Sequence, residues 1–213
     1  MERQPLISRA EEFVRGIFAQ DASGHDAWHT FRVRSLALRL AETEGADPLT
    51  VELAALLHDV DDRKLSPKTH DTLGNAVGFL RSQGVEEERI GQICAIIRAL
   101  SFSSGQVPNS LEGQVVQDAD RLDAIGAIGI ARTFAYGGAH GRAIHLPEEA
   151  ARPDMTREEY AARASTGINH FYEKLLLLKD LMNTASARRM AEARHQYMLD
   201  FLREFSAEWE GQR

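Results

Sequence analysis

The stretch "ALLHDVDD", residues 55–62, sets His58 beside Asp59 behind an apolar run and then adds Asp61 and Asp62. Two other segments carry groups of the same kind. "GHDAWHTFRV" supplies His25, Asp26 and His29, and "QDADRLDAIGA" supplies Asp118, Asp120 and Asp123. All sit among apolar neighbours, where an unpaired charge is costly. On a helix, His58 and Asp59 project about 100° apart, so both flank one point only if the helix end faces it. Asp120 shares a helical face with Val116 and Asp123, and an aspartate on a mostly buried face calls for a cation.

Imidazole and carboxylate donors together suit a divalent first-row metal such as Mn, Fe, Co, Ni or Zn, and Mg less well. No cysteine is placed to join them, so a thiolate zinc site is excluded. Two histidines and two aspartates would leave an octahedral ion two positions for water and substrate. Such an ion lowers the pKa of bound water and neutralises charge on a phosphoryl oxygen. Each piece alone has a plainer reading. A buried histidine is commonly a core residue bonded to a carbonyl, and "DADRLD" alone reads as an exposed helix face paired with arginines.

The elements that must position these groups read as helices throughout, with no run of period-2 alternation. Ile7, Ala10, Phe13, Val14, Ile17 and Phe18 line one face of a first helix. A second is expected over 27–44, stopped by Gly45. A third opens with Asp47 as N-cap and Pro48 at its first position, and buries Leu53, Leu56, Leu57 and Val60. Helices follow over 69–82, closed by Gly84, and over 86–100. "SFSSGQVPNS" is a loop, and Ser110 caps a helix carrying residues 111–133. Residues 136–154 form the longest irregular stretch. Long helices over 156–183 and 186–209 finish the chain, the last with Met190, Tyr197, Phe201, Phe205 and Trp209 at helical spacing as core or interface. One all-α domain over 1–213 is expected, since the last helices alone would make a poor core.

With 43% hydrophobic and 27% charged residues the chain reads as globular rather than disordered. A net charge of −7 argues against general affinity for nucleic acid or an anionic membrane surface. A single cysteine, Cys94, excludes an intrachain disulfide; it reads as a buried small hydrophobe and suits a reducing compartment. With no signal-like start and no apolar run near the ~20 residues of a membrane span, a cytoplasmic protein is expected.

The order His29, His58-Asp59, Asp120 resembles the H…HD…D signature of the HD superfamily of metal-dependent phosphohydrolases. The flanks "H-x-x-R-V" (29–33), "A-x-L-L-H-D" (54–59) and "D-A-D-R-L-D-A" (118–124) match as well. The signature spans about 24–131. "FSSG" and "NHFYEKLLLLKDLMNT" are similar to a small bacterial subgroup that includes nucleotide pyrophosphohydrolases.

That resemblance implies a single-domain, all-α helical bundle of HD type, with helices over about 156–209 packed on the signature region. It implies His29, His58, Asp59 and Asp120 as ligands of one divalent ion, manganese first, with Mg, Co, Ni, Fe or Zn as alternatives. Asp120 is preferred to Asp118 and Asp123 because the ligand precedes the arginine in "A-D-R-L". Asp62, one turn beyond His58, falls where some members carry an acid that helps activate the attacking water. Binuclear members add several histidines before the last aspartate; here His70 alone stands in that interval, which favours a single ion.

A phosphorylated substrate needs donors near the metal. Lys64 and Lys68, just beyond the helix end, are the preferred phosphate contacts, with Arg63, Arg32 and Arg121 as further candidates. His25, four residues before His29, is a candidate proton donor to the leaving oxygen. In "YGGAHGRAIH", Arg142 among glycines fits a substrate-covering loop. The expected reaction is hydrolysis of a nucleoside triphosphate to monophosphate and pyrophosphate. An HD phosphatase or phosphodiesterase on another ester, a di-iron oxygenase and a noncatalytic nucleotide sensor are the alternatives.

Overall fold

A computed structural model describes residues 3–19, 27–100, 107–153 and 165–213. Among them are nine α-helices, one 3-10 helix and no strand. The all-α expectation holds. Packing groups the chain into two compact units, Met1–Asp120 and Arg121–Arg213.

The first unit is built around α3 (Pro48–Leu57), every residue of which from Thr50 to Leu57 is buried. A helix apolar on all sides belongs at the centre of a core. Asp47 caps it as expected, its carboxylate accepting from the Thr50 amide. Helices α1 (Arg3–Ile17), α2 (Ala27–Glu44) and α5 (Glu87–Leu100) pack against α3, and α4 (Gly74–Ser82) packs on α5. The one acid inside α3 is Glu52, 2% exposed. Arg3 of α1 donates to its Oε2 at 2.7 Å, and Arg34 of α2 donates to its Oε1 at 2.7 Å. A buried carboxylate left alone would be costly, so this ion pair also fixes how α1 and α2 lie on α3.

Two expectations change along the chain. The helix expected over 69–82 starts at Gly74, and residues 69–73 form turns instead. Leu73 there is left-handed, with φ 53°. The start is set from outside, because Asp61 accepts from the amides of Asn75 and Ala76 at 3.0 and 2.9 Å. The other change concerns residues 111–133, which are not one helix. Helix α6 (Leu111–Asp123), capped by Ser110 as expected, ends before α7 (Gly126–Ala139). Gly126 has φ +76°, which favours glycine. A Cβ on Gly129 would meet the Ala124 carbonyl oxygen at 2.2 Å, so the break cannot be refilled by a larger residue.

The second unit holds α7, α8 (Gly167–Glu173), the 3-10 helix Leu175–Leu181 and α9 (Ala185–Trp209). The long helix expected over 156–183 is therefore corrected: at Lys174 the backbone leaves α geometry (φ −143°) and a 3-10 segment follows. The irregular stretch expected over 136–154 begins only after Ala139. On α9 the buried stripe is Ala187, Ala191, Met198 and Leu202, while Tyr197 and Trp209 are exposed. The half-buried Phe201 ring meets Phe134 edge-on and Phe171 at a tilt, so this part of the expected aromatic stripe packs within the unit. No helix among the described residues is long and apolar enough to cross a membrane.

Candidate metal centre

The end of α3 shapes the site. The last carbonyls of a helix lack backbone partners, and the carbonyl of Ala55 is met by the Nδ1–H of His58, 2.8 Å away. A carbonyl only accepts, so Nδ1 carries the hydrogen, and in the neutral ring Nε2 keeps its lone pair. That Nε2 is buried, and among the described residues no well-aligned hydrogen bond reaches it. Asp59 Oδ2 lies 3.2 Å from it. His29, 2% exposed in the first turn of α2, places its Nε2 3.5 Å from Asp59 Oδ2 and 3.4 Å from Asp120 Oδ1. Ligand atoms of His29, His58 and Asp120 all lie within 4.8 Å of one another.

These spacings fit a common cation. Donors ~2.0–2.2 Å from one ion stand ~3–4.4 Å apart, depending on the angle between them. The negative end of α3 also favours positive charge there. Burial alone would lower the His58 pKa, but the Asp59 carboxylate, then Asp120 and the Ala55 carbonyl, raise it to about 9. Burial would raise Asp120, yet His29 and His58 hold it below the usual carboxylate value. The pocket thus demands positive charge, which a proton on His58 or a divalent ion supplies. An ion bound there would polarise a phosphoryl oxygen and acidify water.

Around this cluster lies a cavity of about 490 Å³, lined by His58, Asp59, Asp120, Asp61, Asp62, His70, Asp71, Leu73, Ile97, Arg98 and Leu100. Asp62 lines it as the sequence suggested, with Oδ1 accepting from the Lys64 amide at 2.8 Å. The preferred phosphate contacts are not there. Arg63, Lys64 and Lys68 are exposed, and none of them lines the cavity. Arg121 donates to the Leu181 carbonyl within the second unit. Arg142, also in the second unit, lies over the Tyr136 ring, 5.2 Å from its centroid. His25 falls outside the described residues. Asp123 is buried and paired with Arg132 at 2.7 Å, an ion-pair role rather than a ligand's.

Sequence reasoning gave little weight to Asp61, His70 and Arg98. Asp61 caps α4. His70 donates from Nδ1 to the Asp61 carbonyl at 2.9 Å, and Arg98 comes from the last turn of α5. Only the approach of α4 and α5 to the end of α3 brings them in, and no local spacing signals it.

A family model described as "HD domain" matches residues 27–125, the segment holding His29, His58, Asp59 and Asp120. A solved Bacillus thuringiensis protein described as an HD-superfamily hydrolase is 44% identical, with a TM-score of 0.80 and coverage of 98% of this chain and 99% of that one. The chain belongs to the HD domain family. As an HD-superfamily member it is a metal-dependent phosphohydrolase. It is also 41% identical to the Bacillus subtilis protein YpgQ over 96% of both chains. A crystal structure of YpgQ in complex with ADP matches with a TM-score of 0.75 and 37% identity, covering 93% of this chain and 97% of that one.

Proposed function

We propose that this HD hydrolase acts in the cytoplasm on nucleotides, cleaving a nucleoside triphosphate to monophosphate and pyrophosphate with one divalent ion, manganese first. The observation that carries the reading is the convergence of His29, His58, Asp59 and Asp120 beside a cavity that His58, Asp59 and Asp120 line together with Asp62. The ADP bound to YpgQ supports a nucleotide as the ligand class. Two histidines and two aspartates would hold the ion. His58 enters with its Nδ1–H locked on Ala55, and Asp62 takes a proton from the attacking water. The new bond joins the water oxygen to the α phosphorus, and the bridging bond to the β phosphate breaks.

The test is a panel of nucleotides and simple phosphate esters with Mn, Mg, Co and Ni, assayed separately for phosphate and pyrophosphate. Pyrophosphate in step with monophosphate is expected. Release of inorganic phosphate alone would replace this reading with that of a phosphatase.

A further inference from the structure

We propose that Arg98 receives the pyrophosphate portion of the substrate and makes this site select polyphosphates over monophosphates, an inference that rests on the hydrolase reading above. The cavity wall carries five aspartates, Asp59, Asp61, Asp62, Asp71 and Asp120, and among the described residues that line it Arg98 is the one lysine or arginine. A triphosphate entering so acidic a space needs cationic partners beyond the metal.

Four of the five carboxylates are engaged away from Arg98. Asp61 is taken by the Asn75 and Ala76 amides, Asp62 bonds the Lys64 amide, and Asp59 and Asp120 face the two histidines. No ion pair joins Arg98 to a carboxylate among the described residues. Its side chain is exposed in the last turn of α5, where it also borders a second cavity, of about 940 Å³, lined by Gln92, Ala99 and Asn109. A planar guanidinium there can bond two phosphate oxygens at once, which a lysine ammonium cannot do in the same fork geometry.

In the reaction, water oxygen bonds to the α phosphorus and the bridging oxygen departs with the bonding electrons as part of pyrophosphate. The water proton passes through Asp62 to solvent. Arg98 faces the negative charge that gathers on the departing group.

The experiment compares Arg98→Ala and Arg98→Lys with the wild type, all loaded with manganese. Loss of a charged hydrogen-bonding group predicts a ~10–100-fold rise in KM for the triphosphate and in the inhibition constant of added pyrophosphate for Arg98→Ala. Arg98→Lys should recover part of both, with bound manganese and melting temperature unchanged in each variant. Unaltered KM and pyrophosphate inhibition in Arg98→Ala would overturn the assignment. If the wild type releases no pyrophosphate from any nucleotide, the parent reading fails, and calorimetric titration of the manganese-loaded proteins with pyrophosphate then judges Arg98. Weaker binding by Arg98→Ala supports its role, and equal binding sinks it.

Discussion

His58 does two things with one ring. Its Nδ1–H closes the end of α3, and its Nε2 meets Asp59 in a buried pocket. The raised pKa, about 9 against an ordinary 6.5, has a definite sign. In metal-free protein the imidazolium contributes stability that is complete below pH 6.5 and lost as pH climbs through about 9. Chemical denaturation of metal-free protein should therefore show stability falling over that window. Metal requires the neutral ring, so loading at pH 7.5 should release about one proton. Calorimetry in buffers of different ionisation enthalpy reads this directly, and no release would mean that His58 is already neutral at that pH or does not bind the ion. Asp59→Ala should lose both bound metal and turnover. Asp62→Ala should keep the metal and lose ~100-fold or more in rate; metal analysis beside a rate assay separates the two roles. The cluster of His29, His58, Asp59 and Asp120 was legible in sequence because those residues carry the flanks of the HD signature. Arg98 was not, because its place in the cavity depends on where α5 ends in space.

At the scale of elements, the helices that start on a local signal were legible. Asp47-Pro48 marks the start of α3, Ser110 that of α6, and Gly45 has the positive φ that ends α2. Those started or broken by distant contacts were not. Helix α4 begins at the carboxylate of Asp61, more than ten residues upstream, and periodicity alone ran the helix back to residue 69. The Glu52 pairing was equally invisible, its partners lying 49 and 18 residues away. Asp61 is 2% exposed and satisfies two backbone amides, so Asp61→Ala should cost ~1–3 kcal/mol. Urea unfolding measures that loss. Asp61→Asn, which keeps one acceptor, should cost less.

For the molecule as a whole, the all-α class followed from periodicity, and the acidic balance from composition. The expectation of one domain spans both compact units and carries its own test. Scanning calorimetry should give a single transition whose van't Hoff and calorimetric enthalpies agree; two resolved transitions would separate the units. A ligand bound only by the folded state raises the melting temperature, so chelation should lower it, and manganese should restore it in proportion to the logarithm of its concentration.

Asn75 ties a knot whose effect reaches beyond α4. Its amide takes the Asp61 carboxylate, while its side chain donates to the Val60 carbonyl, the Ser66 hydroxyl and the Thr69 hydroxyl. The excursion between Asp61 and Gly74 is thus buckled at its base, next to His58 and Asp59. Residues on its outer rim, Arg63, Lys64 and Lys68 among them, can be exchanged without tugging on His58. Changes at that rim are therefore mechanically insulated from the histidine–aspartate cluster, and a protein so fastened can vary its surface there while leaving that cluster in place.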